Sequence, residues 1–140
     1  MEATHFRYRD RQRIERAAEH YLRACYRART AARASEFASY LGVSAPYLSR
    51  LVAAAAATPV REFLRRRQLA YAEQLLRSTP LSVAHIAIAS AFGTPATFYR
   101  CFAKAFGDTP ASYREVMKCE TAAKKAATRP NGTRNVTECV

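Results

Sequence analysis

The chain has 140 residues, a formal net charge of +12, 49% hydrophobic residues and no Trp. That length holds one compact domain or two very small ones sharing a core, and the apolar content is that of a globular chain. The positive excess is spread along the chain: +5 over 1–34, +5 over 35–118 and +2 over 119–140. It suits a polyanionic partner, whether DNA, RNA or an anionic membrane surface.

The N-terminus MEATHFRYRDRQR is charged and has no apolar core, so it is no signal peptide. Residues 1–13 read as an extension. From residue 11 to 29 the positions Ile14, Ala17, Ala18, Tyr21, Leu22 and Cys25 recur at three- and four-residue spacing, which predicts an amphipathic helix with a basic outer face. A short helix follows over 35–41, stopped by Gly42. Ser44 reads as an N-cap opening a helix to Ala57, with Leu48, Leu51, Val52 and Ala55 turned inward. Thr58-Pro59 repeats the start signal for a long helix over 59–78. Thr79-Pro80 breaks the chain, and Ser82 caps another short helix. Thr94 then caps a helix with Pro95 at its first position, its inner side formed by Phe98, Cys101, Phe102 and Ala105. Gly107 ends it, and Thr109-Pro110 starts a last helix. Residues 119–140 have few large apolar side chains and read as a disordered tail. The expected fold is all-α, with about seven helices.

Cys25, Cys101, Cys119 and Cys139 lie far apart in sequence, and His5, His20 and His85 are isolated. No metal, cofactor or catalytic constellation is indicated, so no enzyme is expected. Reduced thiols and a cytoplasmic location suit the chain. The longest apolar run, LVAAAAA at 51–57, is too short to span a bilayer.

Residues 44–63 and 94–113 are two copies of one pattern at an offset of 50. Ser44 pairs with Thr94, Leu48 with Phe98, Arg50 with Arg100, Val52 with Phe102, Ala57 with Gly107 and Phe63 with Tyr113. Each copy is preceded by a short helix and a tight turn, the order of a helix-turn-helix. The first would span about 35–57, the second about 82–107, with 59–78 as the linker helix.

The segments SEFASYLGVSAPYLSRLV (35–52), FLRRRQLAYAEQLL (63–76) and SVAHIAIASAFGTPATFYRCFAKAFGDTPASYR (82–114) resemble the DNA-binding domain of AraC/XylS-type transcription regulators. The resemblance covers about 14–118. It implies two recognition helices on double-stranded DNA, with RNA polymerase as a further partner, no membrane and no small-molecule domain in this chain. The chain would be a stand-alone member or the C-terminal part of a longer regulator. Base-reading positions would be Pro46, Ser49 and Arg50 in the first recognition helix, and Ala96, Tyr99 and Arg100 in the second. Ser44, Thr94, Arg65, Arg66 and Lys104 would meet phosphates, and Arg114 would bind phosphate or form a structural ion pair. The chain departs from the family pattern at Val52, Ala53, Ala54 and Ala57, at Gln68 where many members have Arg, and at Ala91 where Gly is usual. The first copy is therefore the poorer reader. A protein-interaction module with weak DNA reading is the alternative.

Overall fold

The computed structural model describes the backbone of residues 2–128, with side chains over 10–120. Among these residues there are seven helices and no strand: α1 (Glu2–Ala28), α2 (Ala34–Leu41), α3 (Ala45–Ala56), α4 (Val60–Ser78), α5 (Val83–Ala89), α6 (Pro95–Phe106) and α7 (Pro110–Thr128). The expected order is thus observed, and its two outer helices are longer than expected. α1 starts at Glu2, inside the segment read as an extension. α7 runs ten residues past Lys118, where a disordered tail was expected. Both additions lack an apolar stripe, so periodicity misses them. The TAAKKAAT segment that ends α7 is rich in Ala and Lys, both strong helix formers. The remainder of that tail, residues 129–140, lies outside the described residues.

The repeat has a structural counterpart. Ser44 and Thr94 accept from the amides of Tyr47 and Thr97, both at 3.3 Å, and so cap α3 and α6. Leu48 and Val52 are buried at equivalent positions to Phe98 and Phe102. Ala57 and Gly107 close the two helices in left-handed backbone, at φ 56° and 72°. The Thr-Pro phrases, however, are not equivalent. Thr109 caps α7 by accepting from the Ser112 amide, with Pro110 at the first helical position. In the first copy Pro59 itself is the N-cap, α4 begins at Val60, and the Thr58 hydroxyl is buried without a partner. The reason is length: one residue lies between Ala57 and Pro59, two between Gly107 and Pro110. The offset of 50 aligns Pro59 with Thr109, one place out of register with the phrase.

α4 packs against all six other helices and serves two cores. Its first half places Val60, Phe63 and Leu64 among Ile14, Ala18, Leu22, Phe37, Leu48 and Val52. Its second half places Leu69, Ala72 and Leu76 among Ile86, Ala87, Phe92, Phe98 and Phe102. The inner side of α6 differs in one place from expectation: Ala105 is exposed, and Phe106 stacks on Phe102 instead, with ring centroids 4.4 Å apart. A ring at 106 reaches the core that a methyl at 105 does not.

Side chains from other elements supply helix ends. Tyr21 Oη accepts from the Arg33 amide (3.0 Å) and donates to the Arg33 carbonyl (3.2 Å), giving α2 the cap that the Arg33 side chain does not provide. Burial raises the Tyr21 phenol to about 12. Arg114 donates to the carbonyls of Leu76 and Thr79 at the end of α4, so it serves α4, and it has no ion-pair partner among the described residues. Tyr113 donates to Glu73 at 2.7 Å, and Glu73 pairs with Arg77 at 2.8 Å, fastening α7 to α4. Cys25 and Cys101 are free thiols, as expected.

Candidate nucleic-acid interface

α3 and α6 each bury one side and leave the other open. On α3 the exposed residues include Ala45, Pro46, Ser49, Arg50, Ala53 and Ala54. On α6 they include Pro95, Ala96, Tyr99, Arg100, Ala103 and Lys104. All six positions expected to read bases are thus exposed. Neither Arg50 nor Arg100 has an acidic partner among the described ion pairs, so both guanidinium forks are available. Tyr99 is 40% exposed, its ring lying beside Phe98 at a centroid distance of 6.4 Å.

Ser44 and Thr94 sit at the N-termini of these helices, where their hydroxyl oxygens accept from the first turn and the Ser44 O–H remains a donor. Ser44 accepts from the Tyr47 amide. Thr94 accepts from the Thr97 amide and donates to the Thr97 hydroxyl at 3.0 Å. These ends also offer an anion the free first-turn amides and the positive end of the helix dipole.

The three consecutive arginines of α4 part company, as about 100° per residue requires. Arg67 turns toward α1. Its guanidinium lies 4.1 Å from the Phe63 ring centroid, donates to the Phe63 carbonyl and pairs with Glu15 at 3.5 Å. Arg65 and Arg66 border a cleft of about 480 Å³ between α4 and α6, which Lys104 also lines. Arg66 shares its charge with Glu62 at 3.5 Å. A second cleft, of about 460 Å³, opens between the two halves and is lined by Arg33, Arg61, Arg65, Thr94 and Thr97. The structure thus groups Arg65, Arg66 and Lys104 in one cleft, and Arg65 with Thr94 in the other. Ser44 lines neither.

Arg61 borders both clefts and was not anticipated from the sequence. The signal was there: it precedes Arg65 by four residues, one helical turn on the same face. Arg33 had no such signal, because it lies in the connection before α2. Among the described residues no group of three His, Cys, Asp or Glu could hold a metal, and no helix is long and apolar enough to cross a membrane.

Two capped helices bearing outward arginines at matched positions, with cationic clefts beside them, define a tandem helix-turn-helix. Residues 37–115 match the family described as "Helix-turn-helix domain". The chain belongs to this AraC-type family of DNA-binding transcription regulators. It is 34% identical over 89 residues to the probable transcription factor PqrA of Proteus vulgaris, covering 57% of this chain and 73% of that one. It is 38% identical over 73 residues to the HTH-type transcriptional regulator GlxA of Rhizobium meliloti (strain 1021); that match covers 52% of this chain but only 22% of GlxA. Among solved structures, the C-terminal domain of AraT, a response regulator from Geobacillus stearothermophilus, aligns with a TM-score of 0.65 at 27% identity, over 74% of this chain and 84% of that one. The DNA-binding domain of AdpA, solved in complex with a target DNA, shares the fold with a TM-score of 0.60 at 22% identity, over 85% of this chain and 94% of that one.

Proposed function

We propose that this chain is a sequence-specific transcription regulator that lays α3 and α6 in successive major-groove segments of one duplex, roughly one turn or about 34 Å apart. The observation that carries the reading is the matched pair Arg50 and Arg100, each exposed on a capped helix and without an ion-pair partner among the described residues. An arginine so placed donates a bidentate pair to guanine O6 and N7. Pro46 and Ser49 on α3, and Ala96 and Tyr99 on α6, are the companion readers. Ala96 suits a thymine methyl, and Tyr99 a phosphate or base edge. Arg61, Arg65, Arg66 and Lys104, with the α3 and α6 N-termini at Ser44 and Thr94, meet phosphates and set affinity and register. The target DNA of the AdpA domain and the transcription-factor name of PqrA support the same partner here. RNA polymerase is a further partner, and a cytoplasmic location follows from the function.

The test is selection of bound duplexes from a random library with the parent, Arg50→Ala and Arg100→Ala. Each substitution is expected to cost about 1–3 kcal/mol and to relax one position of the motif, with Arg100→Ala the more damaging. If both variants select the parent's motif at the parent's affinity, the assignment is wrong. The donor-poor open side of α3 (Ala45, Pro46, Ala53, Ala54) favours a second reading, a protein-interaction module. A binding slope near zero against salt on log–log axes decides for it.

A further inference from the structure

A helix alone is a poor ruler between two recognition elements, because it bends and twists about its own axis. In this chain the two halves also meet at a second place, away from the α4 axis. Gln68 lies on α4 between the last contributor to the first core, Leu64, and the first contributor to the second, Leu69. It is buried, and its Nε2 donates to the carbonyls of Ser90 (3.1 Å) and Ala91 (2.9 Å) in the turn before α6. The Ala91 carbonyl also accepts from the Ala32 amide, in the connection between α1 and α2, at 3.0 Å. The Ala91 side chain belongs to the first core although its backbone belongs to the second half. Gly93 brings the same turn so close that a Cβ there would lie 3.1 Å from the Ala31 Cβ, at a φ of 84°.

We propose that Gln68 is a positioning residue. By tying the 90–93 turn to α4 and to the 31–32 segment it fixes the rotation of α6 relative to α3, and so selects the spacing between the two halves of the DNA site. The inference rests on the DNA reading above. Gln68 itself touches no base in this scheme. One inserted base pair moves the second half-site by about 3.4 Å and turns it by about 34°, which a rigid clamp does not follow and a hinged pair of halves does.

Two measurements on the full chain test it. Residual dipolar couplings, recorded without DNA, report whether the two halves share one alignment tensor. The parent and Gln68→Arg, which keeps a donor, are expected to share one, and Gln68→Leu to need two. Affinity for the selected duplex and for versions with one base pair inserted or removed between the half-sites gives the functional readout. The parent is expected to lose on the order of tenfold per step and Gln68→Leu less than about threefold, with unchanged salt slope. If Gln68→Leu does not fold, Gly93→Ala, which pushes the turn off Ala31, takes its place with the same expectation. A shared tensor together with the parent's spacing profile in the variant overturns the proposal. A parent that binds no duplex at any spacing overturns the DNA reading, while the tensors still decide the clamp.

Discussion

Ala57 and Ala91 hold left-handed backbone that glycine adopts without penalty, yet they are not alike. Ala57 is exposed at the end of α3, so its methyl does nothing but crowd the backbone. Ala57→Gly is expected to raise unfolding stability by about 1 kcal/mol, read from the urea midpoint at unchanged m-value. Ala91 is 1% exposed at φ 65°, and its methyl fills the first core. Relief of strain and loss of burial oppose each other there, and Ala91→Gly is expected to change stability by less than about half as much. Thr58 offers a third case. Its hydroxyl is buried without a partner, so the isosteric Thr58→Val is expected to stabilise by about 1 kcal/mol in the same measurement. The sequence showed that Ala stood where Gly belonged. It did not show that one of these alanines had become part of a core, since burial by a segment 27 residues beyond Leu64 leaves no local pattern.

At the scale of elements, local signals were legible wherever a cap or a stop was used. Ser44, Ser82, Thr94 and Gly107 mark helix ends in both sequence and structure. They were illegible where an end is served from a distance, as when Tyr21 caps α2 or Arg114 caps α4. The outward sides of α3 and α6 followed from their inner stripes, whereas the clefts needed the packing of α4 against both halves. The α2 cap has a pH consequence. The Tyr21 phenol ionises near 10 in the unfolded chain and near 12 when folded. The folded state thus binds the proton more tightly. The contribution of this group to stability is fully present below pH 10 and is lost as pH rises from 10 through 12. Alkaline unfolding in step with tyrosinate absorbance checks this. Tyr21→Phe, which leaves the Arg33 amide without its partner, is expected to cost about 1–3 kcal/mol at neutral pH.

For the whole molecule, charge predicted a polyanion and the fold narrows it. A uniform basic surface would give only diffuse attraction, whereas Arg61, Arg65 and Lys104 are gathered in clefts beside α6. Each of Arg61→Ala, Arg65→Ala and Lys104→Ala is expected to weaken binding to all duplexes alike and to flatten the log–log salt slope by about 1, leaving the selected motif unchanged. A changed motif would move that residue from the phosphate group to the base-reading group.

The placement of Ala91 in the first core has a consequence in time. During synthesis every other member of that core, from Ile14 to Leu64, is made before it. At about 5–20 residues per second, residue 91 follows Leu64 by roughly 1–5 s. For that interval the first unit lacks its final piece, and the nascent chain holds a reader that is not yet closed. A fragment ending at Pro80 is a standing copy of that moment. Its α3 amides are expected to exchange with solvent faster than those of the full chain. Completion of the first unit thus waits on arrival of the second, and a prematurely released chain does not carry a finished half.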